Sequence, residues 1–311
     1  MKVLVIGELN IDIILDKFSA FPSIGKEVFA DQMNITMGSS SAIFASNLSN
    51  LGNDVSFIGV IGKDYYGKMI IDTLHQHNVN TEWIRESSTH STGLTVILNA
   101  YEDRANVTYP GSMKTLSKNN IDTNLFSHFS HLHISSYFLQ PLLKAEIPHL
   151  FGKAKQWGLT TSFDMQWDPH ETWEISLKEI LPNVDVFLPN EIELVNATGA
   201  DTVPEALEVI KPYSNITVVK QGNRGSKLFS NNTEYDLPAF LNEDVVDAIG
   251  AGDSFNAGFI HKYLQKMPLK VCQEFGSIIA AISTTQAGGT KALESKHERE
   301  KIAKEKFNKT I

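Results

Sequence analysis

The sequence predicts an α/β protein with three layers, in which helices cover both faces of a mostly parallel central sheet and a small separate β-sheet lies beside it. Short apolar runs alternate with helical patterns along the chain, which is typical of a parallel sheet covered by helices. Two segments, Ile13–Asn34 and Thr92–Thr108, instead show alternating, half-polar strand character with no helix between partners. The 311 residues, 42% of them hydrophobic, are enough for one large core or a core plus a smaller piece.

Each apolar run predicts a strand, and each helical pattern predicts a helix. The buried strands are expected at Val3–Ile6, Val55–Ile61, Leu132–Ser135, Thr160–Asp164, Val184–Leu188 and Ile216–Lys220. Helices are expected in "SSAIFASNLSNLG", "YYGKMIIDTLHQHN" and "QPLLKAEIPHLFGKAKQWG", because each ends near glycine or asparagine. The two half-polar segments, about 13–34 and 92–108, are expected to form a lid inserted in a single domain that spans residues 1–311. The lysine-rich tail Glu294–Ile311 is expected to be a solvated final helix.

Charge and cysteine content exclude several classes of protein. A net charge of −9 argues against nucleic acid as a partner. The single cysteine, Cys272, excludes a disulfide framework and fits a reducing cytosol, so a cytoplasmic location is expected. The first apolar run is broken by Glu8, Asn10 and Asp12 and is interpreted as a strand rather than a signal segment. No segment approaches the roughly 18 apolar residues of a membrane span, so no membrane partner is expected.

The stretch "VVDAIGAGDSFNAGF" places two glycines and a carboxylate where an apolar, strand-like run meets a helix. Gly250 and Gly252 allow backbone conformations closed to other residues and allow a ligand to come close. A helix that begins there directs unpaired N–H groups at an anion. Asp253 would repel that anion, and its presence is explained if it accepts a proton.

Two other glycine patterns do not define a phosphate site. The segment "GKDYYGKM" nearly matches the P-loop pattern, but Met69 stands where a hydroxyl must bind magnesium. The chain reads Gly7-Glu8-Leu9-Asn10 after its first strand, so the dinucleotide fingerprint is missing and an NAD-dependent oxidoreductase is not favoured.

Six motifs in order resemble the ribokinase-like, or PfkB, carbohydrate kinases. "DAIGAGDSFNAGF" resembles the family's C-terminal signature D-T-x-G-A-G-D, and "LPNEIE" and "VVKQGNRG" resemble its N-x-x-E motif and nucleotide-side turn. Gly7 with Asn10 and Asp12 resembles the substrate-binding first strand, "GSSSAIFASNLSNLG" the glycine-led helix and "VIGKDYYG" the G-x-D-x-x-G turn. The resemblance covers essentially the whole chain and implies a ribokinase-like fold.

The resemblance also implies an activity and a catalytic group. It implies a kinase that uses ATP and Mg²⁺ to phosphorylate a hydroxymethyl group of a sugar, with a nucleoside as the alternative acceptor. Gly250, Ala251 and Gly252 would supply backbone N–H groups to the transferring phosphoryl group, which suits a reaction that needs mostly positioning and charge neutralisation. Asp253 would take the proton of the attacking hydroxyl.

Further residues receive roles through the same resemblance. The substrate-binding set is Asn10, Asp12, Gly38, Ser39, Arg104 and Asp164, and the nucleotide-binding set is Asn190, Glu193, Lys220, Gly222 and Gly225. Glu193 would reach the magnesium ion through water, and a potassium-type cation site, which only some members have, would form at Asp247, Ile249 and Gly288. Two roles have structural alternatives, because Arg104 also fits a solvated hairpin arginine and Asp164 a cap for the next segment.

Three residues depart from the family pattern, and two of them bear on the acceptor. Ala248 replaces a threonine and removes no backbone donor, so activity is expected to persist. Ser39 replaces the second glycine of a common pair, and Ile43 stands where sugar kinases of the ribokinase type often have asparagine. Both are expected beside the substrate and make ribose itself a weak candidate. A protein that binds a sugar or nucleotide without catalysis is the remaining alternative, and a homodimer through the lid is the expected partner arrangement.

Overall fold

The structure is a computed structural model that describes residues 1–100, 103–231 and 233–311, and the side chains of residues 100, 103 and 104 lie outside that description. The strands are β1 (Lys2–Ile6), β2 (Asn10–Asp16), β3 (Gln32–Met37), β4 (Asp54–Gly62), β5 (Asn80–Ser87), β6 (Gly93–Ala100), β7 (Asp103–Tyr109), β8 (His131–Ser135), β9 (Thr160–Asp164), β10 (Val186–Phe187), β11 (Ile216–Lys220), β12 (Ser226–Ser230) and β13 (Thr233–Leu237). The α-helices are α1 (Ser40–Asn50), α2 (Tyr65–Gln76), α3 (Ile147–Gln156), α4 (Leu177–Ile180), α5 (Glu191–Thr198), α6 (Val203–Ile210), α7 (Ala251–Leu264), α8 (Leu269–Ser283) and α9 (Lys296–Phe307).

The strands form two separate sheets. The larger sheet has nine strands in the order β13-β12-β11-β10-β9-β8-β1-β4-β5, and the smaller has four in the order β3-β2-β6-β7. From β5 to β11 every neighbouring pair in the larger sheet is parallel, whereas β12 and β13 join one edge antiparallel. The predicted α/β class, with a mostly parallel sheet and a small second sheet, is confirmed.

Alternation along β1 explains the three layers. Val3 and Val5 belong to an apolar cluster with residues of α1, α2, α7 and α8, whereas Leu4 and Ile6 belong to a second cluster with residues of α3, α5 and α6. Successive side chains of a strand point to opposite faces, so a strand that is apolar throughout is buried on both sides. The helices therefore cover both faces of the larger sheet.

The small sheet begins and ends differently from the predicted segments. Its first strand starts at Asn10, and residues 17–31 contain no strand. This stretch includes Pro22 and has Gly25 at φ +78°, and Ile24 is fully exposed. It is a connection between β2 and β3, so continuous strand character over 13–34 is wrong. Closure of the small sheet as a lid and a single domain over 1–311 stay predictions.

Polar side chains gather at one edge of the larger sheet. Ser135 at the end of β8 is in register with Asp164 at the end of β9, and Lys220 ends β11. Because the carboxyl ends of parallel strands lie at the same edge of a sheet, these residues are close together, and ligands of open α/β sheets bind at that edge. Within the described ranges, no helix is both long and apolar enough to span a membrane.

Candidate active site

The glycine turn lies at the start of α7. Gly250 is the residue before the helix and has φ +74°, and a Cβ at this position would lie 2.8 Å from the Cα of Gly289. The Ala251 N–H donates to the Ala248 carbonyl and the Ser254 N–H to the Gly250 carbonyl. Between them, the N–H groups of Gly252 and Asp253 have no acceptor among the residues that the structure describes. The Gly250 N–H also has no acceptor there, so the start of α7 offers three free donors and the positive end of a helix dipole, whereas the Ala251 N–H, which was expected to bind the phosphoryl group, is already used.

The segment before this turn is a loop rather than the expected strand. Residues 238–250 contain no strand, and Val245 and Val246 are more than half exposed. The Val246 and Asp247 N–H groups donate to the Thr284 carbonyl just after α8, and Asn242 donates to the Thr284 hydroxyl, so the segment is bonded to a helix end in place of a neighbouring strand. An apolar pair of residues is too short a signal to distinguish such a loop from a strand.

Asp253 is in the first turn of α7 and is 9% exposed. Its Oδ1 accepts hydrogen bonds from the Ser40 hydroxyl and from Gln166 Nε2, the latter at 3.2 Å. Burial, and next the charge of Asp164, raise the pKa of Asp253 to about 7. A carboxyl group with this pKa is suited to take up a proton near neutral pH.

Asp164 and Lys220 form a buried ion pair next to Asp253. Lys220 Nζ is 2.8 Å from Asp164 Oδ2, which also accepts from Asn256 and Gln166. Burial opposes the charged form of Lys220, but the carboxylates of Asp164 and Glu193 outweigh it and raise the pKa of Lys220. Asp164 Oδ1 is buried and has no partner among the described residues. The cluster thus combines a retained positive charge with an unused acceptor.

Asn10 and Asp12 lie at the beginning of the small sheet. Asn10 Nδ2 donates to Asp12 Oδ1 at 2.8 Å and to the Thr95 hydroxyl at 3.2 Å. A Cβ on Gly38 would lie 2.4 Å from the Asp12 carboxylate, so this side chain needs a glycine there. Burial raises the pKa of Asp12 to about 7. Such a carboxyl-amide pair can bind hydroxyl groups of a polyol.

Ser39 and Ser40 connect this pair to Asp253. Ser39 is the N-cap of α1, with φ +69°; its hydroxyl donates to the Glu8 carbonyl at 2.6 Å and accepts from the Ala42 N–H. Ser40 follows with its bond to Asp253. Glu8 is buried, accepts from the Ser41 hydroxyl, and has a pKa raised by burial. Gly38, which lies against Asp12, and Ser40, which bonds to Asp253, are thus two residues apart at the start of α1.

Asn190 and Glu193 form a capping box at the start of α5. The Asn190 side-chain oxygen accepts from the Glu193 N–H, while both carboxylate oxygens of Glu193 accept from Asn190. Burial, and next the charge of Asp164, raise the pKa of Glu193 to about 8. This local role is one that the N-x-x-E spacing also predicts.

The turn between β11 and β12 contains Gly222 and Gly225, both with positive φ. A Cβ on Gly225 would lie 1.9 Å from the Leu237 carbonyl oxygen, so this glycine allows the turn to pack on the end of β13. Gly222 meets no atom within 4 Å of a Cβ position. A short 3₁₀ helix, Gly222–Arg224, completes the turn, and Arg224 pairs with Glu191 at the start of α5.

The predicted cation residues are also adjacent. The Asp247 carboxylate accepts from the Ile249 N–H at 2.9 Å and from the Gly288 N–H at 3.0 Å. Occupancy by potassium stays a prediction. Across the described ranges, no group of three or more His, Cys, Asp or Glu side chains is arranged to hold a metal ion.

Two residues that the sequence analysis expected near the substrate are Arg104 and Ile43. The Arg104 side chain lies outside the described residues, and only its backbone in β7 is placed. Ile43 is 3% exposed and packs against Gly250 and Gly289, so it supports the glycine turn.

Sequence reasoning missed three side chains of the cluster: Ser40, Gln166 and Asn256. Each had a weak local signal, since Ser40 follows the glycine-led turn, Gln166 lies two residues beyond a strand end, and Asn256 lies one helical turn after Asp253.

The nine-stranded sheet, the small second sheet and the glycine turn at the sheet edge define a ribokinase-like α/β fold. A family model described as pfkB family carbohydrate kinase matches residues 1–296, so the chain belongs to that family.

Three comparisons illustrate its similarities. The chain is 27% identical to the 2-dehydro-3-deoxygluconokinase of Bacillus subtilis over 83% of each chain. It resembles the crystal structure of ribokinase from Thermotoga maritima with a TM-score of 0.82 and 26% identity, covering 97% of this chain and 99% of that one. It resembles the adenosine kinase of Sinorhizobium meliloti in fold, with a TM-score of 0.83 and 20% identity, covering 94% of this chain and 97% of that one.

Proposed function

We propose that this protein is an ATP-dependent kinase that transfers the γ-phosphoryl group to a hydroxymethyl group of a sugar. One observation carries the proposal: Asp253 is a buried carboxyl group beside backbone N–H groups that have no acceptor in the described chain. A proton acceptor and an anion site thus lie within a single helical turn. Phosphoryl transfer to an alcohol needs both.

The residues divide the reaction between them. Asp253 Oδ2 takes the proton from the acceptor hydroxyl as its oxygen forms the new bond to phosphorus, and the bond to the leaving ADP oxygen breaks. The N–H groups of Gly252 and Asp253 donate to the oxygens of the transferring group, where charge is concentrated. Lys220 adds a fixed positive charge, because its amine lies 3.7 Å from the Cβ position of Gly252. The proton leaves Asp253 to solvent after product release.

The carboxylates and glycines of the site fit a bound magnesium ion and a bound nucleotide. A Mg²⁺ ion keeps several waters and is held through one or two carboxylates and substrate phosphates. Bound Mg²⁺ would neutralise phosphate charge. Glu193 would contact it through water, and the unpartnered Asp164 Oδ1 offers a further acceptor for such a water. Gly222, whose Cβ position meets no atom within 4 Å, would let the nucleotide approach the backbone, and Gly225 would hold this turn against the end of β13.

The acceptor is bound on the side of the small sheet. Asn10 and Asp12 offer an amide and a carboxyl group for adjacent hydroxyls of the acceptor. Gly38 and Ser39 would line the base of the acceptor site. A sugar is favoured because the relatives of higher identity carry sugar-kinase names. A nucleoside is the alternative, supported by the fold of the adenosine kinase.

An acceptor screen tests the proposal. ADP formation from Mg-ATP is measured with a panel of ketoses, aldoses, sugar acids and sugar phosphates, and with adenosine, inosine and cytidine in parallel. The expected result is turnover of one sugar class that is lost in Asp253→Asn. Tight binding of an acceptor by calorimetry, with no ADP formed from any compound, would instead support a non-catalytic binding protein.

Two secondary properties belong to the same proposal. Potassium would bind at Asp247, Ile249 and Gly288 and fix the loop beside the glycine turn. A homodimer would form through the small sheet, where Met33 on β3 and Val107 on β7 are about two-thirds exposed. Turnover in potassium against sodium buffers tests the first property. Sedimentation of wild type against Val107→Lys tests the second.

A further inference from the structure

The two oxygens of Asp253 have different surroundings. Oδ1 accepts from Ser40 and Gln166, whereas Oδ2 has no hydrogen-bond partner among the described residues. Ser40 Oγ in turn accepts from Gln166 Nε2 at 2.7 Å. The donors therefore run in one direction, from Gln166 to Ser40 to Asp253. This direction keeps Oδ1 occupied as an acceptor and leaves Oδ2 for a substrate proton.

Gln166 is placed for this contact at a conformational cost. Its φ is +61°, in the left-handed region, which is unfavourable for a residue with a side chain. The conformation brings Nε2 within 2.9 Å of Asp164 Oδ2 and within reach of Asp253. Gln166 therefore bonds to two buried carboxylates in a strained conformation, which the surrounding structure must hold in place.

We propose that Ser40 and Gln166 are positioning residues for the phosphoryl transfer, which hold Asp253 through Oδ1 so that Oδ2 faces the acceptor hydroxyl. This inference rests on the proposed function. It adds the two side chains that orient the base and the oxygen that accepts the proton. Neither residue is required to touch the substrate.

The charged groups around Asp253 come from several elements. Asp164 on β9, Glu8 after β1 and Glu193 on α5 are carboxyl groups near it, and Lys220 on β11 is the cation. Burial and the charges of Asp164 and Glu8 raise the pKa of Asp253, whereas the Ser40 hydrogen bond and Lys220 lower it. Loss of a donor to Oδ1 therefore raises the pKa further.

The experiment compares Ser40→Ala and Gln166→Met with wild type in two measurements. The first is the pH profile of kcat with Mg-ATP and the acceptor found in the screen. The second is the titration of the ¹³C-labelled Asp253 carboxyl group by NMR, assigned with Asp253→Asn, which needs no turnover. Ser40→Ala is expected to raise this pKa by about one unit, because a hydrogen bond to a charged group contributes roughly that much. Gln166→Met is expected to raise it by less, since its bond is longer and shared.

Turnover separates positioning from binding and folding. At pH 7, kcat is expected to fall about tenfold in each variant with KM unchanged, and Ser40→Thr, which keeps the hydroxyl, is expected to restore the wild-type profile. The matched controls are Ser46→Ala, which removes a buried hydroxyl of α1 that has no partner in the described chain, and Gln273→Met, which removes a buried amide bonded to Ser226. Both controls are expected to keep the wild-type pH profile.

Failure of the positioning inference and failure of the proposed function give different results. If Asp253→Asn abolishes turnover but Ser40→Ala and Gln166→Met change neither the pH profile nor the NMR titration, the positioning inference is wrong and the proposed kinase stands. If Asp253→Asn turns over normally, the base assignment itself fails. A change in melting temperature alone, with the titration unchanged, would show a merely structural role and also overturn the inference.

Discussion

Lys220 Nζ lies 2.8 Å from Asp164 Oδ2, and the two side chains are 13% and 0% exposed. The chain thus has an ion pair that is largely excluded from solvent at the edge of its sheet, in the same cluster as Asp253. Removal of one member of a buried ion pair is strongly destabilising, because it leaves the other charge buried without a counter-charge.

The first prediction concerns this pair. Lys220→Met is expected to lower the free energy of unfolding by about 3–5 kcal/mol, since Asp164 keeps its burial and loses its cation. The double variant Asp164→Asn with Lys220→Met is expected to recover much of that loss. Urea denaturation of both single variants and the double variant measures the coupling. Additive losses in the double variant would show that the two side chains do not stabilise each other.

The second prediction concerns the pH dependence of stability. Burial raises the pKa of Asp253 from 3.8 to about 7, so the folded state binds more protons than the unfolded state between these values. Stability due to this group is therefore present below about pH 4 and is lost as pH rises toward 7. Asp253→Asn removes the effect, so its melting temperature relative to wild type is expected to increase between pH 4 and pH 8. Asp72→Asn, on an exposed side chain, serves as the control. A difference that does not depend on pH would contradict the burial of this charge.

The third prediction separates the two glycines of the turn. Gly250→Ala is expected to destabilise the protein by about 1–2 kcal/mol or more, because φ is +74° and the new methyl group would meet Gly289. Gly252→Ala is expected to leave the melting temperature almost unchanged, since its nearest neighbour is the Lys220 amine at 3.7 Å. Its kcat is nevertheless expected to fall, because the methyl group stands where the transferring phosphoryl group approaches the N–H groups. Normal turnover in a folded Gly252→Ala variant would remove the anion site from this turn.

The fourth prediction concerns Ser39, which has φ +69° although it is not glycine. Ser39→Ala keeps the strain and loses both hydroxyl bonds, so a loss of roughly 1–2 kcal/mol is expected. Ser39→Gly loses the same bonds but relieves strain of about 1–3 kcal/mol, so it is expected to be close to wild type. Thermal unfolding compares the stabilities of the two variants with that of wild type. Equal stability of the alanine and glycine variants would mean that the backbone at Ser39 carries no strain.

The fifth prediction concerns turnover in Asp253→Asn. Asparagine keeps the size of the side chain but cannot accept the proton, so kcat is expected to fall by roughly 100-fold to 10,000-fold. ATP affinity is expected to persist or improve slightly, because a negative charge beside the phosphates is removed. Steady-state kinetics and calorimetric titration with ATP measure the two quantities. Turnover within about threefold of wild type in a variant that binds ATP would exclude Asp253 as the base.

The sequence predicted those elements whose defining residues are neighbours in the chain. The apolar runs at Val3–Ile6 and Thr160–Asp164 are buried strands, and the N-x-x-E spacing at Asn190 describes a helix cap that neighbouring residues complete by themselves. The same reasoning failed at residues 17–31 and before Gly250. There, apolar side chains such as Ile24 and Val246 are exposed on loops, and a pattern of polarity cannot show that no partner strand is present.

The sequence by itself therefore determined the class of fold, because the order of strand and helix patterns along the chain is visible in it. It also determined the glycine turn at Gly250 and the carboxylate at the start of its helix, because these depend on neighbouring residues. Only the tertiary structure decided what surrounds that carboxylate. Ser40 is separated from Asp253 by 213 positions, and Gln166 from Ser40 by 126, so no local pattern relates them. They meet because parallel strands and the helices that follow them bring their ends to one edge of the sheet. Burial at that edge then raises the pKa of Asp253, which depends on the packed surroundings and not on the residue alone.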